Sequence, residues 1–267
     1  MQSNHLHWPS PTVALLGCLL LGSTTLALAA GEPAADEDLK TRGVAGTVST
    51  TPSQEGVGAK TVSLTPNAPE APKPLSFKLN YVYRPNGQGD LKPLVDGSTL
   101  ASGDHYKIQF TPKEDSYVYI FQVDSSQAIY RLFPMKSFGG VAVNNLNPVK
   151  AGKTYHLPAD DKSFQLDNQK GPESIIFLAF REPNQELEQQ YEALVKARLG
   201  KDTTHANKLQ ANIRGGFKTR GLAGIVDDPS KESSQVSWTE TESFSVPTQR
   251  LDNLCSDCIS LVNFEHH

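Results

Sequence analysis

The strongest constraint on the fold is a strict alternation of apolar and polar residues that begins at Leu75. Apolar side chains occupy every second position from Leu75 to Tyr83, and polar residues stand between most of them. The run ends at a Pro-Asn-Gly turn, residues 85–87. An alternation with a period of two predicts a strand with one face in a core.

Five further strands are predicted before residue 183. One of them, from Tyr117 to Val123 (YVYIFQV), is apolar on both faces, so we expect it in the interior of a sheet rather than at its edge. The others are residues 106–110, 129–133, 155–157 and 175–180. Short strands at this spacing, separated by turn residues, predict an antiparallel sandwich or barrel.

Helices are predicted only after these strands. The first begins after Asn184, a good N-cap, and ends at Gly200. A second is predicted over residues 204–213 and ends at the following Gly-Gly pair. Strands return at residues 236–238, 244–246 and 259–264. The predicted fold class is therefore mainly β, an antiparallel sandwich-like or barrel-like domain with one or two peripheral helices after it.

The N-terminal sequence has the pattern that is typical of an export signal. An apolar run over residues 13–22 precedes Ala27 and Ala29, which predict cleavage after Ala29. The stretch before the run lacks Lys and Arg, so an uncleaved anchor stays an alternative. A lipid on Cys18 is a third possibility, because Leu-Leu-Gly-Cys resembles a bacterial lipobox. All three place the protein in the periplasm or in association with the cell envelope.

The chain then divides into four parts. We expect a signal peptide over residues 1–29 and a flexible linker rich in Pro, Gly and Thr over 30–74. A β domain follows over 75–183, and a helix with a β-containing C-terminal region over 184–267. The net charge of -4 and the pI near 6.0 argue against a nucleic-acid partner, which would require a basic surface.

A nine-residue repeat occurs at two distant places. Residues 40–48 (KTRGVAGTV) and 218–226 (KTRGLAGIV) are identical at seven of nine positions. Two interpretations are open. Both copies could be extended segments at equivalent edges of one sheet, or each could dock as an added strand on a partner, with Arg42 and Arg220 supplying charged contacts.

Two cysteines remain once Cys18 is set aside. Cys255 and Cys258 form a Cys-x-x-Cys motif, for which a short-loop disulfide is the main prediction in an oxidising compartment. The alternatives are a zinc site that includes His266 and His267, redox exchange, and two free thiols.

No catalytic motif is present in the sequence. His105 and His156 each fall in a predicted β segment, where a histidine is usually structural. Asp167 and Glu173 bracket a Gly-Pro turn, but their spacing does not match a calcium-binding loop, so we expect turn capping. The sequence thus predicts a protein that is not an enzyme and that needs no cofactor or metal.

The middle of the chain resembles a known family. The motifs, in order, are LASGDHYKIQF (100–110), SYVYIFQVD (116–124), LFP (132–134), AGKTYHLP (151–158) and FQLD (164–167) ahead of GPE (171–173). This order is similar to that of the bacterial domain of unknown function 4384, over roughly residues 75–183. The resemblance implies an exported or envelope-associated β domain that is often attached to other modules. It implies no reaction and no catalytic residues.

We therefore expect a non-catalytic binding or assembly module that acts on an envelope or secreted protein. The predicted contacts are sheet edges, the repeat residues Arg42 and Arg220, and the aromatic residues Tyr117 and Tyr119. The alternative function is that of a thiol-redox or zinc-dependent envelope protein that uses Cys255 and Cys258.

Overall fold

Two sheets facing each other make up most of the structure, a computed structural model that describes residues 73–227, 232–256 and 258–267. The strands are β1 Leu75–Arg84, β2 Lys92–Pro93, β3 Ser98–Leu100, β4 His105–Pro112, β5 Tyr117–Val123, β6 Ile129–Phe133, β7 Met135–Phe138, β8 Val141–Asn145, β9 Tyr155–Leu157, β10 Phe164–Gln165, β11 Gly171–Phe180, β12 Gly221–Leu222, β13 Val226–Asp227, β14 Ser233–Ser237, β15 Ser243–Pro247, β16 Gln249–Leu254 and β17 Cys258–His266. The helices are α1 Gln185–Leu199 and α2 Thr203–Lys218, and Pro85–Gly87 form one turn of 3-10 helix.

The strands form two large sheets and two hairpins. Sheet 1 has the order β10-β4-β1-β16-β13, with β2 also paired to β1 and β9 to β4. Sheet 2 has the order β12-β17-β11-β5-β6, with β3 also paired to β17. Neighbours in both sheets are antiparallel, except that β12 and β3 run parallel to β17. The pairs β7-β8 and β14-β15 are separate hairpins.

The main core lies between the two sheets. Phe77 and Phe110 of sheet 1 meet Phe177 of sheet 2, with ring centroids 5.0 and 5.7 Å apart and edge-to-face geometry. All three side chains are fully buried. The predicted mainly β, antiparallel fold class is confirmed, and face-to-face packing of two sheets is that of a sandwich.

A second core covers the other face of sheet 2. Tyr119 and Phe121 of β5 point away from sheet 1 and pack beneath α1 and α2, where Phe121 contacts the rings of Tyr191 and Phe217. Strand β5 is therefore buried on both faces and lies between β11 and β6. Its doubly apolar pattern correctly predicted an interior strand.

The first helix matches its prediction and the second is longer. The Asn184 side chain accepts a hydrogen bond from the Leu187 N–H at 3.0 Å, and Gly200 caps the other end. The prediction that α2 ends at Gly215-Gly216 is wrong, because α2 continues to Lys218. Burial of Phe217 against sheet 2 offsets the helix-propensity cost of the glycines, about 1 kcal/mol each.

Both large sheets contain strands from before and after the predicted domain boundary at residues 183/184. Strand β16 pairs with β1, and β17 pairs with β11 from Gly171 to Phe177. The hairpin β14-β15 covers the outer face of sheet 1, where Val236, Trp238 and Val246 surround Val82. Neither helix of the described residues has the length and apolar character needed to cross a membrane.

Candidate functional site

The candidate functional site is an edge groove that runs along β17 on the side away from β11. Residues 94–96, just before β3, form one wall and residues 222–225 form the other. Residues 261–263 of β17 lie at its floor, and Gln249 of sheet 1 also lines it. The groove encloses about 470 Å³.

Main-chain groups of β17 are paired at both ends of the edge groove. At one end, the Ala223 N–H donates to the Ile259 carbonyl at 2.8 Å. At the other end, the Gly97 N–H donates to the Asn263 carbonyl at 2.8 Å, and the Asn263 N–H donates to Asp96 Oδ1 at 2.9 Å. The groove is therefore a gap between two segments that each use the edge of β17.

Leu261 lies in that gap. Alternate residues of a strand direct their main-chain groups to the same side, so the N–H and C=O of Leu261 face the groove, as those of Ile259 and Asn263 do. Within the described part of the chain, no backbone hydrogen bond reaches Leu261 from the groove side. An extended peptide could use this donor and acceptor in the way an added strand does.

The second copy of the repeat forms one wall of the groove and joins the edges of both sheets. Gly221 and Leu222 pair parallel with Cys258 and Ile259, and residues 226–227 pair antiparallel with β16. Ala223 and Ile225 pack against the main core. Lys218 still belongs to α2, but from Gly221 onward this copy is extended at sheet edges, as the first interpretation expects, although it crosses between two sheets rather than lying on one. The first copy, which contains Arg42, lies outside the described residues.

Arg220 lies against the domain at the start of this segment. Its guanidinium is 5.3 Å from the ring centroid of Phe180, and its Nη1 donates to the Ser256 carbonyl at 3.5 Å. These contacts anchor the segment that β12 continues. A role for Arg220 in binding a partner stays a prediction.

The predicted contact of Tyr117 and Tyr119 with a partner requires exposed side chains, and this expectation is wrong for Tyr119. Its side chain is fully buried, and its hydroxyl donates to Glu188 Oε1 at 2.5 Å and accepts from the Asn184 N–H at 3.0 Å. Helix α1 covers this face of sheet 2, which β-strand alternation alone does not reveal. Tyr117, at the start of β5, is half-buried beside the same core.

The two cysteines flank the turn between β16 and β17, because Cys255 follows β16 and Cys258 begins β17. The structure joins Cys255 to Cys258, with Cα atoms 5.0 Å apart, and the Cys258 N–H donates to the Cys255 carbonyl at 3.0 Å. His266 stands at the far end of β17, about 26 Å away at 3.3 Å per residue, so the structure does not bring this histidine and the two cysteines together.

A buried polar network that the sequence analysis missed joins β11 to the end of β17. His266 Nδ1 lies 2.8 Å from Glu173 Oε1, and His266 Nε2 lies 3.0 Å from Ser102 Oγ. Gln122 Nε2 donates to the other oxygen of Glu173, and the Tyr106 hydroxyl donates to Gln122 Oε1 at 2.6 Å. Burial raises the pKa of Glu173, while the hydrogen bonds from Gln122 and His266 oppose that rise.

Ser102 contacts His266, which contacts Glu173, and serine hydrolases have a hydroxyl, imidazole and carboxylate in the same order. A hydrolase also needs free backbone N–H groups beside the serine to bind an oxyanion, and here those N–H groups already donate to other carbonyls. The Ser102 N–H donates to the His267 carbonyl and the Gly103 N–H to the Leu166 carbonyl, both at 3.0 Å. His266 is almost fully buried. The arrangement therefore fixes the last strand to the turn before β4.

Lys107 supports the hairpin on the outer face of sheet 1. Its Nζ donates to the carbonyls of Asp160 and Ser237 at 2.6 Å and of Trp238 at 3.1 Å. Burial lowers the pKa of Lys107 to about 8, and the charges of Asp160 and Asp161 oppose that shift. Since these acceptors are main-chain oxygens already positioned by the fold, Lys107 has a structural role.

The remaining sequence candidates have local partners. His105 Nδ1 lies 2.8 Å from Ser163 Oγ, and His156 Nε2 lies 3.5 Å from Asp160 Oδ1. Asp167 Oδ1 accepts from the Gln169 N–H at 2.7 Å, the turn capping that its sequence context predicts. None of these contacts extends into the edge groove.

Comparison with known proteins adds one result. No curated protein and no solved structure matches the chain. Residues 99–183 match a family model described as "Domain of unknown function (DUF4384)", and they run from β3 through the end of β11. The order of motifs in the sequence and the model match agree, so the resemblance of residues 99–183 to the DUF4384 family is confirmed.

Proposed function

We propose that the protein is an exported, non-catalytic binding module that holds an extended segment of a protein partner in the edge groove. The observation that carries this proposal is the gap at Leu261, where an N–H and a C=O on the edge of β17 face an apolar-walled groove. A peptide that pairs there gains main-chain hydrogen bonds, and the groove walls select its side chains.

The composition of the groove supports a protein partner. Val95 and Leu222, which are 41% and 73% exposed, offer apolar surface, while Asp96 and Asn263 are already bonded to each other. Apolar contacts combined with a short stretch of backbone pairing favour a peptide rather than a small charged ligand. The described residues that line the groove are apolar, amide-bearing or acidic, and the function we propose for them is binding.

The proposal places the protein in the periplasm or at the cell envelope. The predicted signal peptide and Cys18 lie outside the described residues, so the sequence alone supports export. The intact mass of protein isolated from the host envelope tests this part. A chain that starts at Ala30 supports a cleaved signal, an acylated Cys18 supports a lipid anchor, and a cytoplasmic full-length chain contradicts the proposal.

A site-specific crosslink tests the groove. A photoreactive benzoylphenylalanine replaces Val95, whose side chain is 41% exposed on the groove wall. The matched control carries it at Val141, which is 50% exposed on β8, outside the groove. We expect a discrete protein adduct in the native envelope from position 95 and none from position 141. Equal adducts from both positions, or adducts from neither, contradict the proposal.

The thiol-redox alternative makes a different prediction for the same assay. Serine at both Cys255 and Cys258 leaves the groove intact, so we expect the crosslink at position 95 to persist. A loss of the adduct in a folded double variant would favour the alternative.

A further inference from the structure

A second cavity, which we call the polar cleft, lies on the outer face of sheet 1 next to the hairpin β14-β15. Strands β1, β4 and β9 form its floor, and β14 forms one wall. It encloses about 400 Å³ and shares no lining residue with the edge groove. The amide and hydroxyl side chains that line it belong to Asn80, Gln109, Thr111, Thr154, Ser234 and Gln235.

The floor of the polar cleft consists of polar side chains in rows across the strands. Gln109 of β4 is paired with Asn80 of β1 and with His156 of β9. In the next row, Thr111 Oγ1 lies 2.8 Å from Thr154 Oγ1. Residues two apart on a strand share a face, so both rows point to the outer side of sheet 1.

Gln109 is the member of this floor whose hydrogen bonding is incomplete. Its side chain is only 7% exposed, and within the described residues no hydrogen bond reaches its Oε1. A buried amide oxygen without a donor lowers stability, because it has lost its bonds to water. Further along the same hairpin, the apolar side chains of Val236 and Trp238 cover the sheet instead. Gln109 thus gives the polar cleft a fixed acceptor at a cost in stability.

The size of the polar cleft exceeds what one acceptor would need. A single water molecule could donate to Gln109 Oε1, but the cleft has room for on the order of ten, at about 30 Å³ each. Its volume falls within the range of small-molecule pockets, about 300–1,000 Å³. The cleft is therefore large enough to hold a small ligand against Gln109.

Pairs of hydroxyl groups add donors and acceptors to the cleft. The bond between Thr111 and Thr154 uses one of their two hydroxyl hydrogens, which leaves the other hydrogen for a further acceptor. Ser234 Oγ and Thr248 Oγ1, 2.6 Å apart, form a second pair of this kind at the wall. A ligand that both donates and accepts hydrogen bonds matches these groups.

The charges around the polar cleft are balanced. Lys78 Nζ lies 2.5 Å from Glu232 Oε2. Burial lowers the pKa of His156 below its usual 6.5, against the charge of Asp160, so the imidazole is neutral at neutral pH. The described residues that line the cleft include no carboxylate and no aromatic ring. The lining thus favours a neutral polar ligand over an ion or a flat apolar molecule.

The site extends beyond the polar cleft. Thr154 and His156 also line a neighbouring cavity of about 420 Å³ that reaches β8. The charged side chains there are two lysines and two aspartates, Lys153, Lys162, Asp160 and Asp161. The shared lining lets a chain of a few small units occupy both cavities, and the equal numbers of opposite charges again favour a neutral chain.

We propose that the polar cleft binds a neutral oligosaccharide, with Gln109 Oε1 accepting a hydrogen bond from a sugar hydroxyl and the hydroxyls of Thr111 and Thr154 bonding to a neighbouring sugar oxygen. Each sugar hydroxyl both donates and accepts, as the amides and hydroxyls of the lining do. This site is independent of the peptide partner proposed for the edge groove.

A titration followed by amide chemical shifts tests the proposal. The isotope-labelled full chain is titrated separately with maltotriose, cellotriose and chitotriose. We expect at least one of them to bind with a Kd on the order of 1 mM or tighter. The shift changes should centre on residues 109, 154–156 and 234–235. The anionic trigalacturonate and the peptide trialanine are comparison probes and should cause smaller changes there.

Gln109→Leu separates binding from stability. It removes the acceptor without leaving a buried polar group, so we expect an equal or higher Tm and a Kd at least about tenfold weaker. Gln165→Leu is the matched control, since Gln165 is exposed on β10 of the same sheet and does not line the cleft. It should leave the Kd unchanged. A Gln109→Leu variant with a lower Tm and an unchanged Kd would assign a structural role to the amide and overturn the proposal.

Three results of the titration also overturn the proposal. They are the absence of shift changes with all three neutral trisaccharides, changes centred away from the polar cleft, and larger changes from trigalacturonate or trialanine. Gln235→Ala covers the case in which Gln109→Leu does not fold, because Gln235 is exposed on the wall of the cleft. We expect weaker binding in this variant, and an unchanged Kd contradicts the site.

Discussion

Glu173 Oε1 lies 2.8 Å from Nδ1 of His266, and the two residues are only 3% and 1% exposed. This contact joins β11, inside the DUF4384 segment, to the last strand of the chain, outside it. The two residues are 93 positions apart, so the pairing exists only in the folded state. The C-terminal strand is thus fixed to the family domain by a buried polar contact as well as by the β11-β17 ladder.

We expect Glu173 to make stability depend on pH in a defined direction. Burial raises its pKa above the ordinary value of 4.5, so the folded state holds the carboxyl proton more tightly than the unfolded chain does. Its contribution to the free energy of unfolding is therefore fully present below about pH 4.5 and is lost as the pH rises through the folded pKa. Glu173→Gln, which cannot titrate, should lack this loss.

Urea unfolding of wild type and Glu173→Gln between about pH 4 and pH 7 measures the effect. Glu265→Gln is the matched control, since Glu265 is exposed on the neighbouring strand β17. Parallel pH profiles for wild type and Glu173→Gln would contradict the prediction.

Lys107 should make the free energy of unfolding rise with pH in the alkaline range, the opposite direction to the effect of Glu173. Its folded pKa of about 8 lies below the ordinary 10.5, so the unfolded chain binds more protons between these values. The free energy of unfolding contributed by Lys107 therefore increases as the pH rises from about 8 to about 10.5. Lys107→Met should lack this increase, and exposed Lys136→Met should retain it. Denaturant unfolding of wild type, Lys107→Met and Lys136→Met at about pH 7.5 and pH 9.5 measures this increase.

Removal of the Tyr119 hydroxyl should weaken the attachment of α1. Tyr119→Phe leaves the Asn184 N–H and Glu188 without their shared partner, so we expect a loss of about 1–2 kcal/mol in the free energy of unfolding. Faster amide exchange in the first turn of α1 should accompany it. Tyr117→Phe, on the same strand, should change stability by less than about 0.5 kcal/mol. Equal losses in the free energy of unfolding for the two variants would contradict a specific role of the Tyr119 hydroxyl in holding α1.

The cysteine pair should have a modest effect on stability. A loop of four residues is short, so its closure lowers the entropy of the unfolded chain only slightly, by about 2 kcal/mol in free energy. We expect Cys255→Ser/Cys258→Ser to lose about this amount and the wild-type mass to lack two hydrogens. Two reactive thiols in freshly isolated native protein would contradict a disulfide.

The sequence by itself determined the elements with strong local patterns. The alternation from Leu75 and the doubly apolar YVYIFQV segment define β1 and β5, and Asn184 and Gly200 define α1. These patterns reflect side-chain alternation and helix capping. Both depend only on residues that are close to each other in the sequence. The motif order also predicted the family resemblance that the match over residues 99–183 confirms.

Only the tertiary structure decided what covers each surface. The positions Val262, Phe264 and His266 alternate onto one face of β17, so the sequence could place His266 in the core, but not beside Glu173. Likewise, Tyr119 is buried because α1 folds back over sheet 2. The edge groove at Leu261 exists because β12 and β3, 120 residues apart, stop short of each other on β17. Such relationships depend on contacts between distant segments, and no local pattern encodes which segments meet.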